Sequence, residues 1–317
     1  MRRAAALTVT AATFAAPRFA VSQELTTLRI TCVPNDDVSP LLYAREAGLF
    51  RRAGLEIQIY PSTSGAVIAA AVAGGSYDIG LASMMALVTG HARGLPFIMI
   101  AGSLLYQAGS PAGLQLVPKD SPIQNGRDLA GKLLSVAAIK DINWVSTRVW
   151  LDSLGVDLAN VRFVELPQSA VLAALDQKRV DSAFVLIPTL DTALASGKYR
   201  SIGDPLAAIA RRWMVAAWFT TNAYAAKNRD LVLRFARVMH DATVYANTHF
   251  AETAPLIAAF VGVDTAAVLQ MKRVSCAEYL DARDFQPAID AAAKYGVIER
   301  GFNAQELISP DALKAPR

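Results

Sequence analysis

The stretch "NGRDLAGKLLSVAAIKDINW", Asn125 to Trp144, admits two readings that lead to different folds. Gly126, Gly131 and Lys132 stand at the spacing of a phosphate-binding loop. Such a loop follows a strand, opens a helix, and carries Ser or Thr after its lysine to hold magnesium. Here Leu133 follows Lys132, and the apolar run Leu133–Ala138 comes after the glycines instead of before them. The stretch therefore reads as a helical turn, a stop at Gly131, a strand, and a loop from Ala138 to Trp144 that opens the next helix.

Outward from that stretch the same strand–loop–helix unit recurs. Upstream, "LRITCV" (Leu28–Val33), "LEIQIY" (Leu55–Tyr60), "DIGLA" (Asp78–Ala82) and "PFIMIAG" (Pro96–Gly102) read as strands. In the second of these Leu55, Ile57 and Ile59 alternate with polar residues, the period of a strand. Helix-like runs separate them, the first with Ser39 as a candidate N-cap and Gly48 as a candidate C-cap. Downstream, "LQLVP", "LLSVAA", "VRFVEL" and "VDSAFVL" are strands between the helix-like Ile142–Leu154, Gln168–Gln177 and Pro188–Ala195. After "MVAAWFTT" (Met214–Thr221), residues 228 to about 300 read as consecutive helices.

Alternation of this kind predicts an α/β fold built on mostly parallel sheets with helices on both faces. The break in character near Met214 predicts two lobes, the second inserted into the first. Lobe 1 takes residues 23–112 and 219–317, lobe 2 takes residues 113–218, and the crossings fall near Ala112–Gly113 and Met214–Phe219.

The bulk numbers narrow the function. With 53% hydrophobic and 18% charged residues, the 317-residue chain has the composition of a globular protein. The formal charge of +4 owes much to the N-terminus. Residues 1–22 hold Arg2, Arg3 and Arg18 and no acid, so removing them leaves 28 basic against 27 acidic residues. That balance, without a basic cluster interleaved with aromatics, gives no nucleic-acid partner. Arg2-Arg3, the apolar Ala4–Ala16 and the small residues Ala20 and Ser22 have the three parts of an export signal, cut after Ser22. The apolar run is too short to span a membrane. Cys32 lies in a strand and is paired with no metal-ligand spacing. A Cys32–Cys276 disulfide and two buried free thiols both remain open.

In open α/β sheets ligands bind beyond the carboxyl ends of the strands, where helix N-termini present free N–H groups. Five such turns carry small or amide-bearing residues: Pro34–Asp37, Ser62–Gly65, Ala82–Met84, Ala138–Trp144 and Leu166–Ser169. From them come the candidate ligand-binding residues Asn35, Asp36, Ser64, Gly65, Ser83, Met84, Lys140, Asn143 and Trp144. Tyr106 and Gln107 stand near a crossing, with Tyr106 and Trp144 as apolar walls and Gln107 as a polar partner. Asp141 is a further polar candidate, and Arg148, one turn into its helix, could face a carboxylate or sulfonate. No metal and no cofactor is expected.

The residues at this point resemble a known family. "YAREAGLFRRAGLEIQI" (Tyr43–Ile59) and "AAVAGGSYDIGLAS" (Ala70–Ser83) are similar to the opening signature of ABC-importer binding proteins for nitrate, sulfonates, taurine and thiamine-pyrimidine precursors. Asp128 to Leu194 is similar to their second-lobe block. The resemblance runs from about residue 28 to 225 in order. It implies a type II periplasmic binding fold with a ligand cleft between two α/β lobes. It also implies a periplasmic location and delivery of a small-molecule ligand, by a monomer, to an ABC permease and its ATPase subunit. By position its ligand contacts fall on Asn35, Ser64, Gly65, Ser83, Lys140, Asn143 and Pro188. Two departures, the bulky "IKDINW" and Ile187 where many members carry an acid, favour a larger organic or aromatic ligand, and the ligand expected is an organic acid or aromatic compound.

An enzyme on the same fold, like relatives that make a thiamine pyrimidine, is the alternative reading. It would need a Cys-rich metal motif with placed His and Lys, and only Cys32 and Cys276 are present. A hydrolase would need a Gly-x-Ser-x-Gly elbow or a Cys/His pairing, and neither occurs. A regulator's effector domain would need a DNA-binding segment where the export signal stands.

Overall fold

Leu28, Ile30 and Cys32 alternate along the first strand, and all three are fully buried. Thr31 between them is buried as well, so the strand is covered on both faces, as expected for the middle of a parallel sheet. The computed structural model describes residues 25–109, 112–187 and 189–314. The export segment, residues 1–22, and Pro188 lie outside the described residues.

Among the described residues thirteen strands follow in chain order. They are β1 (Thr26–Cys32), β2 (Leu55–Pro61), β3 (Ile79–Ser83), β4 (Phe97–Gly102), β5 (Leu104–Gln107), β6 (Gly113–Pro118) and β7 (Leu133–Val136). Then come β8 (Arg162–Glu165), β9 (Ser182–Leu186), β10 (Tyr199–Gly203), β11 (Arg212–Met214), β12 (Ala216–Thr221) and β13 (Ser275–Cys276). They form a first sheet in the order β2-β1-β3-β12-β4, a second in the order β10-β6-β9-β7-β8, and a three-stranded ribbon β11-β5-β13.

Each large sheet is parallel except for one strand. In the first, β12 runs antiparallel to both β3 and β4; in the second, β6 runs antiparallel to both β9 and β10. These are the two strands the chain enters after crossing between the sheets. The expectation of mostly parallel sheets therefore holds, with the reversals confined to the crossings. β12 pairs Ala216, Ala217 and Trp218 with Ser83, Ala82 and Leu81. β12 is thus part of the first sheet from Ala216 onward. The short strands β5, β11 and β13 of the connecting ribbon were not legible as separate elements.

Helices cover both faces of both sheets. Ser39–Glu46 and Arg229–Ala246 pack Leu41, Leu42, Phe235 and Met239 around Trp218 and the strands of the first sheet. On the second sheet Val171 and Leu175 lie on one face against Val185, and Leu151 lies on the other against Leu134. The C-terminal helix Ala282–Lys294 brings Phe285 and Ile289 to the core that joins the two halves. Ser39 opens its helix but caps nothing; Asn35 instead caps the short turn before it, while Gly48 takes the left-handed φ of 69° that ends it. Among the described residues no helix is long and apolar enough to cross a membrane. Cys32 and Cys276 are both free and buried.

The opening stretch folds as read. Asn125 and Asp128 form a capping box around the turn Gly126–Leu129, Gly131 takes φ 76°, and β7 follows. Gly126 is there for packing. A Cβ on it would come within 2.5 Å of Leu154 Cδ1 and 2.8 Å of Trp150 Cζ2 in the next helix. Overpacking of this kind typically costs about 1–3 kcal/mol. Gly126→Ala is expected to lower the denaturation midpoint accordingly, and an unchanged midpoint in urea would disprove the packing role.

Candidate functional site

The parallel strands of both sheets point their carboxyl ends at one cleft, and the loops leaving those ends line it. From the first sheet come Asn35 and Asp37 after β1, Thr63, Ser64 and Gly65 after β2, and Ser83 at the end of β3. From the second come Ala137, Ala138, Asp141, Ile142 and Asn143 after β7, and Leu186 and Ile187 at the end of β9. Leu104, Leu206, Val215, Ala216 and Val274 close the floor between the sheets. The cleft holds about 410 Å³, within the usual range for small-molecule sites.

Three helices start at this cleft, and each start has a side-chain cap. Ser64 Oγ accepts from Val67 N at 3.4 Å, Ser83 Oγ from Ala86 N at 3.3 Å, and Asp141 Oδ1 from Ile142 N at 2.7 Å. Ser83 Oγ also donates to Asp141 Oδ1 across 3.4 Å, a hydrogen bond between the two halves of the cleft. Among the described residues Asp141 Oδ2 has no hydrogen-bond partner.

Two acids face the cleft, one from each side. Burial holds the Asp141 carboxyl above its ordinary range, against the opposing pull of the Ile142 N–H and the Ser83 hydroxyl. Asp37 is pushed up to about 7, first by burial and then by the neighbouring Asp36 charge, although the Ser103 hydroxyl donates to it at 3.3 Å. Asn143 is 2% exposed, and its amide oxygen has no partner among the described residues. No Lys or Arg is among the residues lining the cleft.

Of the candidates read from sequence, the structure brings Asn35, Ser64, Gly65, Ser83 and Asn143 together in the cleft. It places the others elsewhere. Asp36 is buried in an ion pair with Arg273 at 2.7 Å and accepts from Val274 N, which ties the turn after β1 to the C-terminal segment. Met84 is fully buried core, its N–H bonded to Val215 O. Tyr106 is 1% exposed and donates to Asp204 at 2.6 Å, behind the cleft floor. Gln107 lines a separate surface groove with Arg212 and Asp284. Lys140 is exposed at a left-handed φ of 66°. Trp144 packs edge-on against Phe163, and the Arg148 guanidinium lies between the Trp144 and Tyr295 rings, at 4.6 and 5.7 Å. Pro188 lies outside the described residues. The aromatic wall and the two cations expected at the site are therefore not at the cleft; its apolar lining is aliphatic.

Asp37 and Thr63 were missed as individual residues. Nothing in "NDDV" tells which of two adjacent acids turns to solvent, to a cation or to the cleft. Asp141 had a readable signal, since an acid immediately before a helix is a preferred N-cap.

A family model of NMT1/THI5-like proteins matches residues 35–253. The chain belongs to that family. No curated protein matches the sequence. Among solved structures the chain is similar to the periplasmic aliphatic sulphonate binding protein SsuA from Escherichia coli. That match has a TM-score of 0.75 at 17% identity over 92% of this chain and 94% of that one. The periplasmic nitrate-binding protein NrtA from Synechocystis gives a TM-score of 0.72 at 12% identity, over 91% and 87%. A cysteine-to-serine mutant of DszB in complex with biphenyl-2-sulfinic acid gives 0.65 at 19%, over 90% and 96%. At these identities the likeness shows the fold, that of periplasmic binding proteins, for this member of the NMT1/THI5-like family.

Proposed function

We propose that this chain is the exported substrate-binding component of an ABC importer. It captures a small organic molecule between its lobes and hands it, as a monomer, to a membrane permease served by an ATPase subunit. In this reading the first sheet belongs to lobe 1 and the second to lobe 2, with β5 and β11 between them. The observation that carries this reading is the cleft itself. Loops from both sheets meet there at strand carboxyl ends, so a ligand touching both sides binds the closed arrangement better than the open one and drives closure. The likeness to the periplasmic sulphonate- and nitrate-binding proteins supports the reading, and the family match adds to it.

The chemistry at the cleft supports binding without turnover. Cys32, the one thiol on a strand that leads into the cleft, is fully buried, and burial pushes it up to about 12, which makes it a poor nucleophile. His91, His240 and His249 are absent from the lining, and the two serines there already accept from helix N–H groups. Among the described residues no group of His, Cys, Asp and Glu could hold a metal ion.

Native mass spectrometry of the chain purified from the periplasm, residues 23–317, is expected to show one retained small molecule per protein. Added in excess at about a hundredfold its dissociation constant, that molecule should raise the thermal midpoint by a few degrees and be recovered unaltered. Its conversion to a product would overturn the binding-component reading.

A further inference from the structure

The polar groups of the cleft are unbalanced. Asp37 and Asp141 reach it from opposite sheets, and among the described residues no Lys or Arg lines it and the buried Asn143 amide oxygen has no partner. A buried polar group without a partner is costly, and buried carboxyls without a cation are costlier still. The walls that would surround the rest of a ligand are aliphatic: Val33, Leu104, Leu186, Ile187 and Val215. We propose that the ligand is an organic cation, an amine or amidine on a compact apolar frame, held between the Asp37 and Asp141 carboxylates with Asn143 as a further acceptor.

The excess of acceptors favours this over an anion. The helices that start after Ser64, Ser83 and Asp141 each present roughly half a positive charge at the cleft. Their caps already occupy one N–H apiece. Against them stand two carboxyl groups, and Asp141 Oδ2 has no hydrogen-bond partner among the described residues. Arg273 is paired with Asp36, and Arg148 lies between its two aromatic rings, outside the lining of the cleft. An entering cation would supply the counter-charge both acids lack, and its N–H groups would meet acceptors on both sides of the cleft. An anion of the same shape would bring further negative charge and acceptors where acceptors already stand.

This inference rests on the binding-component reading, and one experiment separates the two. Residues 23–317 are titrated calorimetrically with benzamidine, benzylamine and hexylamine, and with benzoate, benzenesulfonate and hexanoate as shape-matched anions. Each probe is then recovered and analysed. The expected result is binding confined to the cationic probes. Asp141→Asn should weaken it tenfold or more while its unliganded midpoint stays at or above that of the parent, because a buried charge has been removed. Asn143→Ala provides a second test and should weaken the same probes without restoring the anions.

Tighter binding of any anion than of its cationic counterpart, silence from all three cationic probes, or undiminished binding by Asp141→Asn would each overturn the proposal. An anion that binds and returns unaltered would leave the importer reading standing. A cation that binds and returns chemically changed would overturn the importer reading and leave the charge assignment in place.

Discussion

Replacing Arg273 by alanine should lower the stability of this protein by about 3–5 kcal/mol, the usual cost of stripping one partner from a buried ion pair. Asp36 and Arg273 are 3% and 5% exposed, and Arg273 Nε meets Asp36 Oδ1 at 2.7 Å. The arginine also donates to Phe250 O and Thr253 Oγ1, so one side chain fastens the turn after β1 to the helix Phe250–Val261. Without it, Asp36 keeps only the Val274 N–H as a partner and stays buried. A loss of that size should move the melting midpoint by roughly 10 °C. The double variant Asp36→Leu, Arg273→Met should lose far less, because no unpaired charge remains. If the double variant is as unstable as Arg273→Ala, the damage comes from lost packing and the account of the ion pair is wrong.

The second large effect depends on pH. Asp37 titrates near pH 7 in the fold, against 3.8 for an unperturbed carboxyl. Below pH 4 the folded and unfolded chains both hold the proton, and the residue carries no ionic penalty. Between about pH 4 and 7 the unfolded chain gives up the proton while the fold retains it, so stability falls as pH rises. Above pH 7 both states are ionised and the penalty is complete, on the order of 4 kcal/mol for a shift of this size. Asp37→Asn removes the ionisation but keeps an oxygen for the Ser103 hydroxyl, which donates to Asp37 Oδ2 at 3.3 Å. Its thermal midpoint should match the parent's near pH 4 and exceed it increasingly up to pH 8. A gap that does not widen with pH would mean that Asp37 is already ionised in the fold.

The architecture was legible because it is written in period and punctuation. Leu55, Ile57 and Ile59 alternate, Gly48 and Gly131 stop what precedes them, and the phosphate-loop reading failed on a single residue, Leu133. The positions of the cleft were legible for the same reason, since Ser64 and Ser83 cap helices that follow strands. What the side chains do at those positions was not. Asp36 and Asp37 are neighbours in sequence, yet one is neutralised by a residue more than two hundred positions away and the other is left facing the cleft. Trp144 follows Asn143 directly, but on a helix consecutive side chains diverge by about 100°, so the amide lines the cleft while the indole packs against Phe163. Local sequence gives the strand end; which side chain turns inward is decided by tertiary partners.

The reversed strand in each sheet also orders events during synthesis. The second sheet is contiguous along the chain from β6 to β10, so every strand it needs exists once Gly203 has been made. The first sheet has four strands by Gly102, but β4 joins the others only through β12, which begins at Ala216. Until then β3 and β4 have no strand between them, and the apolar side chains of β3 wait for Trp218 and Phe219. The segment inserted late in the architecture is therefore the first that can finish, and the lobe carrying the N-terminus is the last. A chain that stalls or is cut between residues 203 and 216 leaves a completed inner sheet attached to an open outer one, whose bare strand edges invite association with other chains.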